Sequence, residues 1–243
     1  MKFLLTFGDS FSDNGFSNGC GYNRLSNGRV WVEYLSEMLG VPLEDRAWCG
    51  ARSGMGNASG PPDWSGLAWQ VDAWEPDENT PDALCTLLIG INDVYDGQGN
   101  PETVADNITA ALEKLLAKGV RRFLVANVPD ITLAPAYRTE AYAPLKERVG
   151  AAVRAVNRLL DSRLFDPGGL AFRHPAAAIT PLDAFGLFND MATGDGFRQP
   201  DAPWNGTYAY PHANGHLWWD EWHPTTEAHR QMALAALGAL GAG

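Results

Sequence analysis

The stretch that most constrains the fold is the apolar run at residues 84–89, which carries no charge and is followed by a glycine. A strand of this composition is buried on both faces, which is typical of a parallel sheet covered by helices. Residues 3–7 form a second such run, also followed at once by glycine and polar side chains. Both strands are therefore expected to end in tight turns that present polar groups.

The remaining segments alternate between strand and helix patterns. Strands are predicted near 43–49 and 121–128 and within 170–182, and helices at 29–40, 101–118, 142–165 and 225–240. Alternation of this kind predicts an α/β fold with a mainly parallel sheet. We expect a three-layer α/β/α arrangement with the flavodoxin-like strand order 2-1-3-4-5, formed by a single domain over residues 1–243. Residues 190–215 lack periodicity and are predicted to form a long loop.

In that strand order, three polar positions meet at the carboxyl edge of the sheet. Ser10 follows the first strand, Gly50 the second and Asn92 the third. A serine nucleophile needs hydrogen-bond donors for the oxyanion of its tetrahedral intermediate. The N–H groups of Ser10 and Gly50 and the side-chain amide of Asn92 can supply them. Taken singly, each of these residues is more typical of a turn or a helix cap than of a catalytic site.

His223 is the best candidate for a general base among the five histidines. It lies three residues after Asp220 and immediately before the last predicted helix. This spacing allows the carboxylate to accept the Nδ1–H of His223 while Nε2 faces Ser10. In the alternative interpretation, Asp220 is a solvated loop acid and His223-Pro224 opens the helix.

Four sequence blocks together resemble the GDSL-type esterases and lipases of the SGNH hydrolase superfamily. They are GDSFSDNG at 8–15, AWCGA at 47–51, GIND at 90–93 and DEWHPT at 220–225. NVPD at 127–130 and FGLFND at 185–190 are similar to the secreted, hemolysin-like and plant-like branch. The resemblance implies a triad of Ser10, Asp220 and His223, an oxyanion hole of Ser10, Gly50 and Asn92, and no metal or organic cofactor. Phe11 replaces the leucine that usually follows the serine in this family.

The composition limits the classes of partner that this chain is expected to bind. The net charge is −11, and the only basic cluster is Arg121-Arg122, so neither a nucleic-acid partner nor stable membrane insertion is expected. The expected partner is a small ester, and the oligomeric state stays open. Cys20, Cys49 and Cys85 match neither a zinc site nor a disulfide framework, and at most one pair can form. The start of the sequence reads as the first strand, which indicates a cytoplasmic protein, or a secreted one if a signal was removed.

The substrate is the least determined feature. Five tryptophans lie in or near the expected rim loops: Trp48, Trp204, Trp218, Trp219 and Trp222. Flat aromatic faces there can stack on a sugar ring, and Trp48 and Trp222 are the candidate substrate contacts; a role in the core is equally consistent. We expect a short-chain ester, with carbohydrate acetates as one candidate. A lipase or phospholipase, an acyltransferase with the same triad, and a binding module without catalysis remain alternatives.

Overall fold

The computed structural model describes residues 1–15, 24–197, 213 and 215–241, and these contain a five-stranded sheet. The strands are β1 (Phe3–Gly8), β2 (Leu43–Asp45), β3 (Ala83–Leu88), β4 (Arg122–Ala126) and β5 (Ala178–Leu182). Their order is β2-β1-β3-β4-β5, and every neighbouring pair is parallel. The predicted strand order and sheet type are thus confirmed.

Helices cover both faces of the sheet. They are α1 (Trp31–Leu39), α2 (Leu67–Ala73), α3 (Ile91–Val94), α4 (Pro101–Ala117), α5 (Lys146–Phe165), α6 (Leu170–Arg173), α7 (Ala184–Thr193) and α8 (Thr226–Gly241). α8 packs against α1 and α7, whereas α4 packs against α2 and α5, so the long helices form two separate layers. Within the described residues, no helix is both long and apolar enough to cross a membrane.

The register of the central strands places their polar ends side by side. β1 pairs with β3 from Phe3 opposite Ala83 to Gly8 opposite Leu88, so the two strands end at the same level. All twelve paired positions except Phe3 are buried, as expected for strands covered on both faces. The turns after Gly8 and Leu88 therefore emerge together at the carboxyl edge, where open α/β sheets bind their ligands.

The second strand is shorter than predicted. Its pairing with β1 stops at Asp45, opposite Thr6, although the sequence pattern indicated a strand to residue 49. The Asp45 carboxylate accepts hydrogen bonds from the backbone N–H groups of Ala47 (2.9 Å) and Asn14 (2.9 Å). The chain nevertheless continues beside β1 beyond the strand, since the N–H groups of Arg46 and Trp48 donate to the carbonyls of Thr6 (2.8 Å) and Gly8 (3.0 Å).

Two helix boundaries also differ from the prediction. The helix expected from residue 142 begins as a 3₁₀ turn, Ala143–Leu145, and becomes α-helical only at Lys146, because Pro144 favours the start of a helix over its interior. The loop expected from residue 190 begins later, since α7 continues to Thr193 with Phe188 and Met191 buried. The rest of that predicted loop lies largely outside the described residues.

Candidate active site

The turn after β1 holds Ser10 in a fixed place. The Asp9 side-chain Oδ1 accepts the N–H of Phe11 at 3.0 Å, which forms a local turn around the serine. A Cβ placed on Gly8 would lie 2.4 Å from the Leu88 carbonyl oxygen, so the close approach of the two strand ends requires glycine here. Ser10 is 7 % exposed and lines a cavity that opens at this edge.

His223 and Asp220 lie on a tight loop just before α8. Trp218 and Pro224 form an isolated antiparallel bridge across this loop, and the Trp219 N–H donates to the His223 carbonyl at 2.8 Å. The buried Asp220 carboxylate accepts the backbone N–H groups of Trp222 (2.7 Å) and His223 (2.5 Å). These bonds fix the carboxylate beside the imidazole ring, as expected from the spacing.

The structure places His223 within hydrogen-bond distance of both Ser10 and Asp220. His223 Nδ1 lies 2.8 Å from Asp220 Oδ2, and His223 Nε2 lies 3.1 Å from Ser10 Oγ. The ring therefore connects a hydroxyl to a carboxylate through its two nitrogens. With the proton on Nδ1, Nε2 is free to accept the hydroxyl proton of Ser10.

Gly50 lies on the loop after β2 in a left-handed conformation, with φ +77°. This conformation and the close approach of Asn57 both favour glycine, because an added Cβ would lie 2.4 Å from Asn57 Oδ1. Among the described residues, no protein acceptor receives the backbone N–H of Gly50 or that of Ser10. Both residues line the same cavity, so these N–H groups are available to a ligand.

Asn92 lies on the first turn of α3 rather than in an open turn. Its Nδ2 donates to the Ala51 carbonyl at 3.0 Å, which leaves its second N–H for the cavity that it lines. The adjacent Asp93 accepts the N–H and the hydroxyl of Ser53 at 2.9 and 2.7 Å. Consecutive side chains of α3 therefore hold the loop that follows Gly50.

The cavity has a volume of about 320 Å³ and mixed polar and aromatic walls. Besides Ser10, Gly50, Asn92 and His223, it is lined by residues that the sequence did not single out: Leu25, Ala58, Ser59, Ile91, Tyr95, Ile131, Tyr142 and Glu221. Ile91 and Glu221 lie inside the GIND and DEWHPT blocks, whereas the other six come from five separate segments and share no motif or spacing. No sequence signal could have assembled those six.

The tryptophan predictions have different outcomes. Trp222 lines the cavity and packs edge-to-face against Tyr142, with ring centroids 4.8 Å apart. Trp48 does not line it: this residue is 8 % exposed and packs edge-to-face on Trp64 (4.6 Å) and Trp69 (6.1 Å). Its side chain gains more by burial among other indoles than by facing solvent.

Trp218 and Trp219 are two further tryptophans that the sequence placed in or near the rim loops. Trp218 is fully buried, with its ring centroid 5.8 Å from that of Phe188, so of the two alternatives for this residue the structure supports the core. Trp219 is half-buried and is not among the residues that line the cavity. Trp204 lies outside the described residues.

Two of the three cysteines carry free thiols, and Cys20 lies outside the described residues. Cys49 lines the cavity, but burial and the nearby carboxylates of Asp13, Asp9 and Asp220 raise the pKa of its thiol to about 12. The thiol is therefore neutral and a poor nucleophile at neutral pH. The described part of the chain holds no group of three histidines, cysteines or acids placed to bind a metal.

Comparison with known proteins agrees with this geometry. The model of the GDSL-like Lipase/Acylhydrolase family matches residues 4–236, which is nearly the whole chain. The chain belongs to the GDSL-like lipase/acylhydrolase family. The expected resemblance is thus confirmed, and membership supports a carboxylic ester hydrolase.

Relatives of this GDSL-family chain include a hemolysin and an esterase. The chain is 26 % identical to the thermolabile hemolysin of Vibrio parahaemolyticus over 95 % of its own length and 62 % of the hemolysin. It is 27 % identical to an acetylesterase of Thermothelomyces thermophilus, over 98 % of its own length and 88 % of that protein. The chain thus spans less than two thirds of the hemolysin but most of the acetylesterase.

A solved structure supports the fold. A mutant of an acetyl-xylooligosaccharide esterase from Geobacillus superposes with a TM-score of 0.52 and 19 % identity, covering 99 % of this chain and 94 % of that one. At this level of identity the likeness concerns the fold.

Proposed function

We propose that this GDSL-family protein is a serine ester hydrolase that forms an acyl-enzyme on Ser10. The observation that carries the proposal is the position of His223, whose two ring nitrogens lie 3.1 Å from Ser10 Oγ and 2.8 Å from Asp220 Oδ2. This is the arrangement in which a histidine removes the proton of a hydroxyl while a carboxylate stabilises the resulting imidazolium.

In the first half-reaction, Ser10 Oγ attacks the ester carbonyl carbon while His223 Nε2 takes the hydroxyl proton. The carbonyl oxygen becomes an oxyanion, and the N–H groups of Ser10 and Gly50 and the Asn92 amide are the donors proposed to stabilise it. Each such donor contributes roughly 3 kcal/mol to transition-state stabilisation. Collapse of the intermediate transfers the His223 proton to the departing alcohol and leaves the acyl group on Ser10.

In the second half-reaction, a water molecule attacks the acyl carbon while His223 accepts its proton. The same donors stabilise the second oxyanion, and the proton returns to Ser10 as the free acid leaves. No step of this sequence requires a metal or an organic cofactor.

We further propose that the substrates are short-chain, acetyl-like esters, with carbohydrate acetates as the leading candidate. The cavity beside Ser10 has a volume of about 320 Å³, which is at the small end of ligand sites. Trp222, Tyr95 and Tyr142 give the cavity an aromatic wall, and aromatic rings can stack on a sugar ring. The similarity to an acetylesterase over most of both chains points the same way.

The test is hydrolysis of p-nitrophenyl acetate, butyrate, octanoate and palmitate by the wild type and by Ser10→Ala. We expect measurable turnover on the two short esters and a loss of kcat of at least about 10⁴-fold in the variant. The matched control is Ser36→Ala, because the Ser36 hydroxyl donates to the Val41 carbonyl at the end of α1, away from the cavity. This control should retain its activity.

Other outcomes favour the alternatives. A rate that rises with acyl length would replace the short-chain proposal with a lipase or phospholipase. Ester formation with added alcohols that outcompetes hydrolysis would indicate an acyltransferase. Absence of turnover on every ester by folded protein would favour a binding module.

A further inference from the structure

The loop between β2 and α2 packs tightly around Gly50, and the side chain nearest to Gly50 is that of Asn57. Ala51 and Asn57 form an isolated antiparallel bridge, and the Ala58 N–H donates to the Gly50 carbonyl at 2.8 Å. The side-chain amide of Asn57 lies so close to Gly50 that an added Cβ would meet its oxygen at 2.4 Å. This asparagine therefore lies behind the proposed oxyanion donor.

The amide of Asn57 binds the same peptide group that carries this donor. Asn57 Nδ2 donates to the Cys49 carbonyl oxygen at 2.7 Å, and the N–H of that peptide is the N–H of Gly50. In a planar trans peptide the carbonyl and the N–H point in opposite directions, so fixing the oxygen also fixes the direction of the N–H. A hydrogen bond to the oxygen further polarises the amide and strengthens its N–H as a donor.

We propose that Asn57 is a positioning residue, which orients the Gly50 N–H towards the oxyanion and polarises it. The proposal rests on the proposed function, because Gly50 must be a donor in an ester hydrolase. Asn57 itself touches no reacting atom. It acts on the transition state through the Cys49–Gly50 peptide.

Other bonds hold Asn57 in place. Its Nδ2 also donates to Ser65 Oγ at 2.8 Å, and its Oδ1 accepts the Ser59 N–H at 2.9 Å. Ser65 is buried and has φ +66°, the sole positive φ at a non-glycine among the described residues. A serine in this strained conformation indicates a required side chain, and its hydroxyl is the group that Asn57 uses.

The same network reaches the strand that carries the nucleophile. Gln70 Nε2 donates to the carbonyls of Ser65 (3.0 Å) and Gly8 (2.8 Å), and Gln70 Oε1 accepts the Gly8 N–H at 3.1 Å. Gly8 ends β1 two residues before Ser10. A continuous set of hydrogen bonds, part-buried at Asn57 and buried at Gln70, therefore connects the Gly50 peptide to the strand that carries Ser10.

The experiment compares Asn57→Ala and Asn57→Asp with Asn157→Ala as the matched control. Asn157 makes a similar half-buried contact elsewhere: its Nδ2 donates to the Val128 carbonyl and its Oδ1 accepts the Val128 N–H, both at 2.8 Å. All three variants lose hydrogen bonds from an asparagine amide to backbone, so all three should lower the melting temperature. A purely structural role therefore predicts the same kinetics for Asn57→Ala and Asn157→Ala.

A positioning role predicts a different result. With p-nitrophenyl acetate, Asn57→Ala should lower kcat about 10- to 100-fold with little change in KM, because the oxyanion exists only in the transition state. Asn57→Asp should lower kcat further, since its carboxylate offers no donor to the Cys49 carbonyl and adds negative charge behind the Gly50 donor. Equal kcat values in Asn57→Ala and Asn157→Ala would overturn the proposal.

A second readout does not depend on turnover. In glycine-selectively ¹⁵N-labelled protein, the Gly50 amide resonance should shift in Asn57→Ala and stay in place in Asn157→Ala. An unchanged Gly50 resonance in both variants would overturn the positioning role. If the Ser10→Ala variant turned over ester at the wild-type rate, the proposed function would be overturned instead. The Gly50 resonance would still show whether Asn57 fixes the orientation of the Cys49–Gly50 peptide.

Discussion

Asp9, the residue before the proposed nucleophile, is completely buried. Its Oδ1 accepts the Phe11 N–H, whereas its Oδ2 has no hydrogen-bond partner among the described residues. Burial, together with the nearby carboxylates of Asp93 and Asp13, raises the pKa of Asp9 to about 7. The turn that holds Ser10 is therefore built on a carboxyl group that is largely protonated below neutral pH.

The raised pKa of Asp9 predicts a pH-dependent stability. Between about pH 4 and pH 7 the native protein keeps a proton on Asp9 that the unfolded chain releases. The stabilisation that this proton binding provides is therefore complete below pH 4 and is lost as the pH rises through 7. In Asp9→Asn, the free energy of unfolding should fall less than in the wild type between pH 5 and pH 8, by about 2 to 3 kcal/mol. Urea denaturation at the two pH values measures this, and identical decreases in both proteins would contradict it.

Helix α8 lies where the sequence pattern predicts a helix, but its buried face contains a polar side chain as well as apolar ones. Its N-terminus directly follows the loop of Asp220 and His223, and its buried face packs on α1. That face includes His229, which is fully buried with no hydrogen-bond partner for either ring nitrogen among the described residues. Burial, with a smaller contribution from His223, lowers the pKa of His229 to about 3, so the ring packs as a neutral side chain edge-to-face against Phe11.

The lowered pKa of His229 predicts a stability that decreases as the pH falls, which is opposite to the effect of Asp9. As the pH falls below about 6.5 the unfolded chain binds a proton that native His229 takes up only near pH 3, so stability is lost in this range. His229→Leu removes this term and should reduce the loss of unfolding free energy between pH 7 and pH 5 by about 2 kcal/mol. Guanidinium denaturation at both pH values tests this. A variant with the wild-type pH dependence would show that His229 is not the group responsible.

At the scale of the whole molecule, the cavity wall is assembled from distant parts of the chain. Trp222 packs edge-to-face with Tyr95 (5.8 Å), Tyr137 (5.6 Å) and Tyr142 (4.8 Å), and the Tyr137 hydroxyl donates to the Tyr95 carbonyl at 2.6 Å. These rings come from the segments after α3, before α5 and before α8. Only their meeting at the sheet edge creates an aromatic surface beside His223.

If this surface binds the sugar of the substrate, Trp222→Ala should raise KM for bulky glycosyl acetates more than for p-nitrophenyl acetate. Removal of the indole takes away stacking area that only the larger alcohol part can use. Trp69→Ala is the control, because Trp69 belongs to the indole cluster with Trp48 and does not line the cavity. Equal effects of Trp222→Ala on both substrates would count against a sugar site.

The sequence alone was sufficient for the strand order, the family and the proximity of Ser10, Gly50, Asn92 and His223. Apolar runs identify buried strands, and parallel strands bring their carboxyl ends to one edge, so residues directly after strands can be placed without coordinates. Asp220 follows from its short spacing to His223. These inferences need only local chemistry and a simple topology.

The tertiary structure decided which side chains face one another across different segments. It placed Trp48 and Trp218 in the interior and Trp222 at the cavity, although all three are tryptophans near a predicted site residue. It also placed Asn57 behind Gly50, a contact set by a loop whose bends have no periodic pattern. The physical reason is that packing and desolvation depend on neighbours distant in the chain, whereas hydrophobic periodicity reports only the residues nearby.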